Sequence, residues 1–334
     1  MQTSSNIRRY LIPAFCFLGM AALFPSLGRA QVARIELHPL TSASPTNEQF
    51  LTARLAESAP ALIAGELRIP RPGNDRLPAV VLLHGSGGIG NNVELWAREI
   101  LSTGTAVFIV DSFTGRGVVN TQADQDQLSR LVGVVDAYRA LELLTRHPRI
   151  DPERIAVMGF SRGGGAAHWT AIDRFRGLAG IAPNGPRFAG HIALYPTCNR
   201  VFREEDALTD RPILIIHGTA DDYVPMAACR ARVERLRALG RDARLLEIPG
   251  AHHVFDNPAL PPSVRIAAAQ TTRGCPLIEE DTDGRLLNAQ TRQPFTYASD
   301  PCVERGVTIG HSAEGLTTAR AAVREFVAVV LRPN

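Results

Sequence analysis

Four short apolar runs constrain this chain more than any other feature: Val80-Val81-Leu82-Leu83, Ala106-Val107-Phe108-Ile109-Val110, Ile155-Ala156-Val157-Met158 and Ile213-Leu214-Ile215-Ile216. A strand with one wet face alternates apolar and polar residues, so an uninterrupted run of this length, bounded by turn residues, reads as a parallel strand covered on both faces. Between the runs, residues 93–101, 125–145, 163–173, 227–239 and 313–330 place apolar residues three and four apart, the period of a helix with one buried stripe. Strand and helix alternating in this way predict an α/β fold: a doubly wound, mostly parallel sheet with helices on both faces. A strand at 61–69 precedes the first run, after a polar stretch at 41–48, and shorter strands are expected at 192–195 and 245–248. At 334 residues with 45% hydrophobic and 21% charged content, the chain is neither disordered nor polytopic, and without internal repeats it reads as one unit over 31–334.

The first thirty residues stand apart. Asn6-Ile7-Arg8-Arg9 precedes an apolar run at 10–27, followed by Gly28 and Ala30 at the positions where a signal peptidase needs small residues. Pro13 and Pro25 interrupt the run, whereas a membrane anchor needs about 20 continuous apolar residues. Residues 1–30 therefore read as a signal peptide cleaved after Ala30, with no stable membrane insertion afterwards. Phe15 before Cys16 is too bulky for a lipoprotein signal, so Cys16 is filler of the signal core.

Cleavage would remove Arg8, Arg9 and Arg29 and leave 33 basic residues, all arginine, against 33 Asp plus Glu. Near-neutrality without a basic cluster argues against a nucleic-acid partner. Four cysteines would remain, Cys198, Cys229, Cys275 and Cys302, an even number in an exported chain and hence two expected disulfides in a periplasmic or secreted protein. Sequence proximity favours Cys198 with Cys229 and Cys275 with Cys302. No close C-x-x-C spacing suggests a metal, and no metal or cofactor is expected. The second pair lies in a segment rich in proline, glycine and polar residues, about 256–310, that breaks the strand-helix alternation and reads as a disulfide-stapled excursion.

The chemistry concentrates after the strands. Gly159-Phe160-Ser161-Arg162-Gly163 follows one buried run directly and opens a Gly/Ala-rich helix, which is G-x-S-x-G in its strand-turn-helix setting. A turn that lifts Ser161 above the sheet forces unusual backbone angles and close helix-strand contact, which side chains at 159 and 163 would obstruct. A serine hydroxyl needs a base to take its proton and a carboxylate to orient that base. The run 213–216 leads into His217-Gly218-Thr219-Ala220-Asp221-Asp222, and the 245–248 strand into Gly250-Ala251-His252-His253, so a carboxylate (Asp221 or Asp222) and a histidine (His252 or His253) follow the serine in chain order. All three lie past carboxyl ends of strands, where sites in open parallel sheets form. The loop His84-Gly85-Ser86-Gly87-Gly88 offers backbone N–H groups that, with that of Arg162, would stabilise an oxyanion. Ser86 is the expected donor and His84 a structural support of the loop. Gly87, Phe113 and Tyr223 are candidate substrate contacts, and the Arg162 side chain either meets a substrate carboxylate or is solvated.

Taken together, His84-Gly85 with its glycines, the elbow at 159–164, His217 to Asp221 with Val224-Pro225, and Gly250 to Phe255 resemble the dienelactone hydrolase family of the α/β-hydrolase superfamily over about 60–255 and the last helix. The resemblance implies Ser161 as nucleophile, Asp221 as the orienting acid and His253 as the base. Ser161 stands where that family carries a cysteine, which makes the chain a serine-nucleophile, exported member. The expected activity is hydrolysis of a small carboxylic ester through an acyl-enzyme. The alternatives are a serine peptidase of the same fold and a non-catalytic binding protein. The short span from 195 to 213 leaves no room for a helical lid, predicting an open cleft partly walled by the excursion.

Overall fold

The computed structural model describes Gln2 and residues 32–333, so apart from Gln2 the leader expected at 1–30 lies outside the described residues. In chain order the elements are β1 (Arg34–Ser44), α1 (Asn47–Leu51), β2 (Ala59–Ile69), β3 (Leu77–Leu83), α2 (Asn91–Leu101), β4 (Ala106–Asp111), α3 (Val132–Thr145), β5 (Ile150–Phe160), α4 (Arg162–Trp169) and α5 (Asp173–Leu178). They continue with β6 (His191–Leu194), β7 (Arg200–Val201), β8 (Ile213–Gly218), α6 (Ala227–Ala238), β9 (Ala243–Ile248), β10 (Val264–Thr271), β11 (Ile278–Glu280), β12 (Leu286–Asn288), β13 (Glu304–Ile309) and α7 (Ala313–Val330).

Eight strands form one sheet in the order β1-β2-β4-β3-β5-β6-β8-β9. The six from β4 to β9 run parallel, while β2 pairs antiparallel with both β1 and β4. The apolar runs seen in the sequence form its centre, and their pleat divides the core into two layers. Val81, Leu83, Val157, Ala193 and Ile215 face a layer shared with α3, α4, α5 and α6. Their neighbours Val80, Leu82, Ala156, Met158, Ile192 and Ile216 face a second layer with α2 and α7. Burial on both faces is why these strands contain no polar alternation. The chain passes from β3 outward to β4 and then back across to β5, so the strand order reverses at β3 and opens a crevice at the carboxyl ends there.

Several local expectations need correction. The polar stretch at 41–48 is partly strand: β1 runs to Ser44 and pairs with β2 from Arg34↔Ile69 to Ser44↔Ala59. As an edge strand with few buried side chains it carries little apolar signal, and it tolerates Pro39 for the same reason. The helix expected over 125–145 begins only at Val132, and that expected over 163–173 ends at Trp169 before a separate α5. The excursion is also more ordered than its composition suggests. β10 pairs antiparallel with β13, and β11 joins β12 and the short β7 in a three-stranded sheet. Both disulfides have the expected pairing, Cys198–Cys229 and Cys275–Cys302. Between β6 and β8 the only element is the two-residue β7, so no helical lid covers the crevice.

Candidate active site

Ser161 sits between the last residue of β5 and the first of α4 with φ 51° and ψ −110°, a conformation that costs a non-glycine residue strain. The surroundings enforce it. A Cβ at Gly159 would collide with the carbonyl of Gly163, and one at Gly163 with the carbonyls of Leu83 and His84. The Ser161 N–H donates to Leu194 O at 2.9 Å, tying the elbow to the neighbouring strand.

The three loops converge. Ser161 Oγ lies 2.9 Å from His253 Nε2, and His253 Nδ1 lies 2.7 Å from Asp221 Oδ2. Asp221 is fixed from both sides, because Oδ1 accepts the N–H groups of Tyr223 (2.9 Å) and Val224 (2.8 Å). His217 Nε2, facing the Val224 carbonyl at 2.7 Å, must carry its proton there and reaches Asp221 Oδ2 at 3.1 Å with the same N–H. Burial alone would push the Asp221 carboxyl up, but the imidazoles of His253 and His217 outweigh it and hold the group below the ordinary carboxylate range. The carboxylate therefore keeps His253 protonated on Nδ1 and leaves Nε2 free to accept from Ser161. The adjacent candidates do other work: Asp222 accepts from Thr308 N and Oγ1, and His252 Nδ1 meets Ala220 O.

The His253 ring is clamped between Tyr195 and Tyr223, with centroids 4.6 and 4.7 Å away. Tyr195 is itself anchored, donating to buried Asp256 at 2.7 Å, while Trp96 Nε1 donates to the other Asp256 oxygen at 2.8 Å. Burial pushes the Asp256 carboxyl up, against the pull of these two donors.

The glycine loop runs alongside the elbow, since a Cβ on Gly85 would stand 3.3 Å from Phe160 O and 3.5 Å from the Ser161 Cβ. A tight turn closed by Gly88 N to Gly85 O at 3.1 Å leaves the Ser86 N–H without a backbone acceptor among the described residues. The Arg162 N–H is in the first turn of α4, where N–H groups have no intrahelical acceptor. His84 supports the loop as expected: Nδ1 donates to Gly85 O at 2.8 Å and Nε2 accepts from Ser112 N at 3.2 Å. A cleft of about 170 Å³ opens over Ser161 and His253, lined also by Ser86, Gly87, Tyr195 and Tyr223.

Two expected contacts do not reach this cleft. Phe113 packs edge-on against His84 with centroids 4.4 Å apart and lines a different, minor hollow. The Arg162 side chain turns inward, donating to Leu128 O and lying near Thr121 and Gln125, so it neither meets a substrate in the cleft nor is solvated. Residues not anticipated are His217, Tyr195, Asp256 and Gln125. Gln125 joins Ser86 Oγ (3.1 Å) to Tyr223 OH (3.2 Å) behind the cleft wall. The excursion braces the same loops: Gly310 N donates to His253 O at 3.1 Å, and Thr271 Oγ1 to Tyr223 O at 2.6 Å. Among the described residues, Glu36, His38 and His147 group their ligand atoms as a metal site would, but Glu36 is already bonded to Arg34 and both imidazoles, and none of them lines the cleft.

The sheet, its reversal at β3 and the strained serine elbow define an α/β hydrolase. A model of the dienelactone hydrolase family matches residues 65–273, and the chain belongs to that family. It is 27% identical over 241 residues to a putative carboxymethylenebutenolidase of Methylorubrum extorquens, covering 65% of this chain and 80% of that protein. It is 27% identical over 133 residues to the uncharacterized peptidase YuxL of Bacillus subtilis, covering 34% of this chain but only 20% of YuxL. Among solved structures, a dienelactone hydrolase-like promiscuous phosphotriesterase, P91, from metagenomic libraries superimposes with a TM-score of 0.55 at 15% identity, covering 89% of this chain and 98% of that one; this likeness concerns the fold.

Proposed function

We propose that the protein is a serine hydrolase that cleaves a small carboxylic ester through an acyl-enzyme, with Ser161 as nucleophile, His253 as base and Asp221 as its orienting acid. The observation that carries this reading is the continuous chain from Ser161 Oγ through His253 to Asp221, at 2.9 and 2.7 Å. In the reaction Ser161 Oγ bonds to the ester carbonyl carbon as its proton passes to His253 Nε2. Charge develops on the former carbonyl oxygen, toward which the N–H groups of Ser86 and Arg162 are the available donors. The C–O bond to the alcohol then breaks and His253 returns the proton to the leaving oxygen. Water attacks the acyl-enzyme by the same path, releasing the carboxylic acid and restoring Ser161. No step requires a metal or cofactor.

The cleft volume of about 170 Å³ favours short acyl groups, since pockets for drug-sized ligands span roughly 300–1,000 Å³. Labelling with a fluorophosphonate tests the nucleophile, and peptide mapping should place the adduct on Ser161. Nitrophenyl acetate and butyrate should be hydrolysed faster than the decanoate. Faster cleavage of peptide amides than of any ester would favour the peptidase reading, to which the partial similarity to YuxL points. No adduct and no turnover would leave a binding protein. The leader and the two disulfides support export to the periplasm or beyond the cell, where thiols are oxidised.

A further inference from the structure

Of the six buried arginines among the described residues, three have a carboxylate partner, as does Arg116, whose side chain is also shielded. Arg116 pairs with Asp136, Arg149 with Asp75, Arg176 with Asp173 and Arg232 with Glu205. Arg130 and Arg200 are equally buried, at 8% and 6% exposure, yet among the described residues neither has a carboxylate oxygen within 4 Å; the Nε of each is a buried donor without a hydrogen-bond partner, as in Arg176 and Arg232. Their guanidiniums lie 5.4 and 5.8 Å from the ring of Tyr297, and that of Arg200 also 5.7 Å from Phe295. Arg130 Nη2 donates to Gln125 Oε1 at 2.9 Å, the same oxygen that Arg162 approaches at 3.4 Å, so a third buried cation without a carboxylate partner stands close behind. Both arginines line a pocket of about 330 Å³ with Gln125, Ser129 and Tyr297. The one carboxylate in its lining, Asp126, is exposed and accepts from Ala298 N at 2.9 Å.

Burying like charges together without a counter-charge is costly, and a guanidinium presents donors whose fork matches carboxylate and phosphate oxygens. We propose that Arg130 and Arg200, with Gln125 and Tyr297, form a binding pocket for a small oxyanion, a carboxylate or phosphate group, distinct from the Ser161 cleft. The site is assembled by the fold: Gln125 and Arg130 come from the loop before α3, Arg200 from β7, and Tyr297 from the excursion. Burial, with Arg130 alongside, disfavours the protonated form of Arg200 against the opposing pull of Tyr297 and Asp126, and a bound anion would relieve it. The pocket shares no lining residue with the Ser161 cleft, and Gln125 separates the two.

Thermal unfolding of the full mature chain, titrated with inorganic phosphate and separately with acetate, tests this against sodium chloride at matched ionic strength. A rise in Tm with phosphate or acetate that grows with the logarithm of its concentration, beyond that with chloride, is expected, and which probe acts at lower concentration tells phosphate from carboxylate recognition. Arg130→Met and Arg200→Met should weaken the interaction about tenfold or more each, as the loss of a hydrogen bond to a charged group implies. Ser161→Ala should bind unchanged, so the result does not depend on the hydrolase reading. If the methionine variants fail to fold, Arg200→Lys, which keeps the charge but loses the fork, should still weaken binding measurably by calorimetry. A response no greater than that to chloride, or equal affinity in the arginine variants, would overturn the proposal. So would a phenolate absorbance at neutral pH that Tyr297→Phe abolishes, because Tyr297 would then be the counter-charge.

Discussion

At the residue scale, the proposed reaction depends on Asp221 remaining a carboxylate. Its Oδ2 faces N–H groups of two imidazoles. In Asp221→Asn, an amide nitrogen placed there would set donor against donor, or, if turned, would meet the N–H groups of Tyr223 and Val224 instead. Activity should fall by up to about 10⁴ in kcat, as in other triads. Ser161→Ala and His253→Ala should each remove most of the rate, and the double variant should cost little more than either alone, measured as kcat/KM with folding checked by circular dichroism. Asp222→Asn and His252→Ala should have far smaller effects, since their contacts lie outside the Ser161–His253–Asp221 chain. Asp221 also carries a stability prediction. Its folded pKa is lowered, so its ionised form stabilises the fold fully above the ordinary value near 4, and this contribution fades as pH drops below that toward the folded value. The difference in urea-unfolding free energy between wild type and Asp221→Asn should therefore be constant near neutrality and shrink on acidification below about pH 4. A difference that widened with acid would reverse the assigned shift.

At the scale of elements, the elbow works because α4 starts against the carboxyl end of β3. Gly163→Ala would drive a methyl into the carbonyls of Leu83 and His84, and the helix would have to move. Overpacking of this kind costs about 1–3 kcal/mol, more where backbone resists. Chemical denaturation should show that loss, and activity should fall further than stability because Ser161 moves with the helix. The disulfide Cys275–Cys302 spans 27 residues and holds the excursion that braces His253 and Tyr223. Loop-closure entropy for that length corresponds to about 3–4 kcal/mol, so Cys275→Ser with Cys302→Ser should lower the urea-unfolding free energy by that order. The excursion's role was not legible beforehand. Apart from the local β11–β12 hairpin, its strands find their partners across a long sequence separation, β10 with β13 and β11 with β7.

For the whole molecule, both disulfides belong to a chain whose expected leader would send it out of the reducing cytoplasm, and no described helix is long and apolar enough to cross a membrane. Mass spectrometry of the exported, unreduced protein should find an N-terminus near Gln31 and no free thiol at Cys198, Cys229, Cys275 or Cys302. An intact leader in the soluble product, or four free thiols, would refute export as proposed. The two core layers meet through a single sheet, and the excursion is stitched to it by Asp222 and Thr308 as well as by His253 and Gly310.

What the sequence determined by itself was whatever depends on local pattern. Both-face burial writes itself as continuous apolar runs, and the elbow as glycines two residues to either side of a serine. The candidates Ser161, Asp221 and His253 could be picked out because each lies one to five residues past the end of a strand whose run is visible. The tertiary structure alone decided what depends on partners distant in the chain. Phe113 turned to His84 and Arg162 turned inward because packing, and not loop position, sets where a side chain points. Tyr195 came to brace His253, and Asp256 to hold Tyr195 together with Trp96, through contacts between residues far apart in sequence. Arg130 and Arg200 look like ordinary surface arginines in the sequence, and only the fold buries them beside Tyr297 without a carboxylate, because a charge reveals its missing counter-charge only after its neighbours are in place.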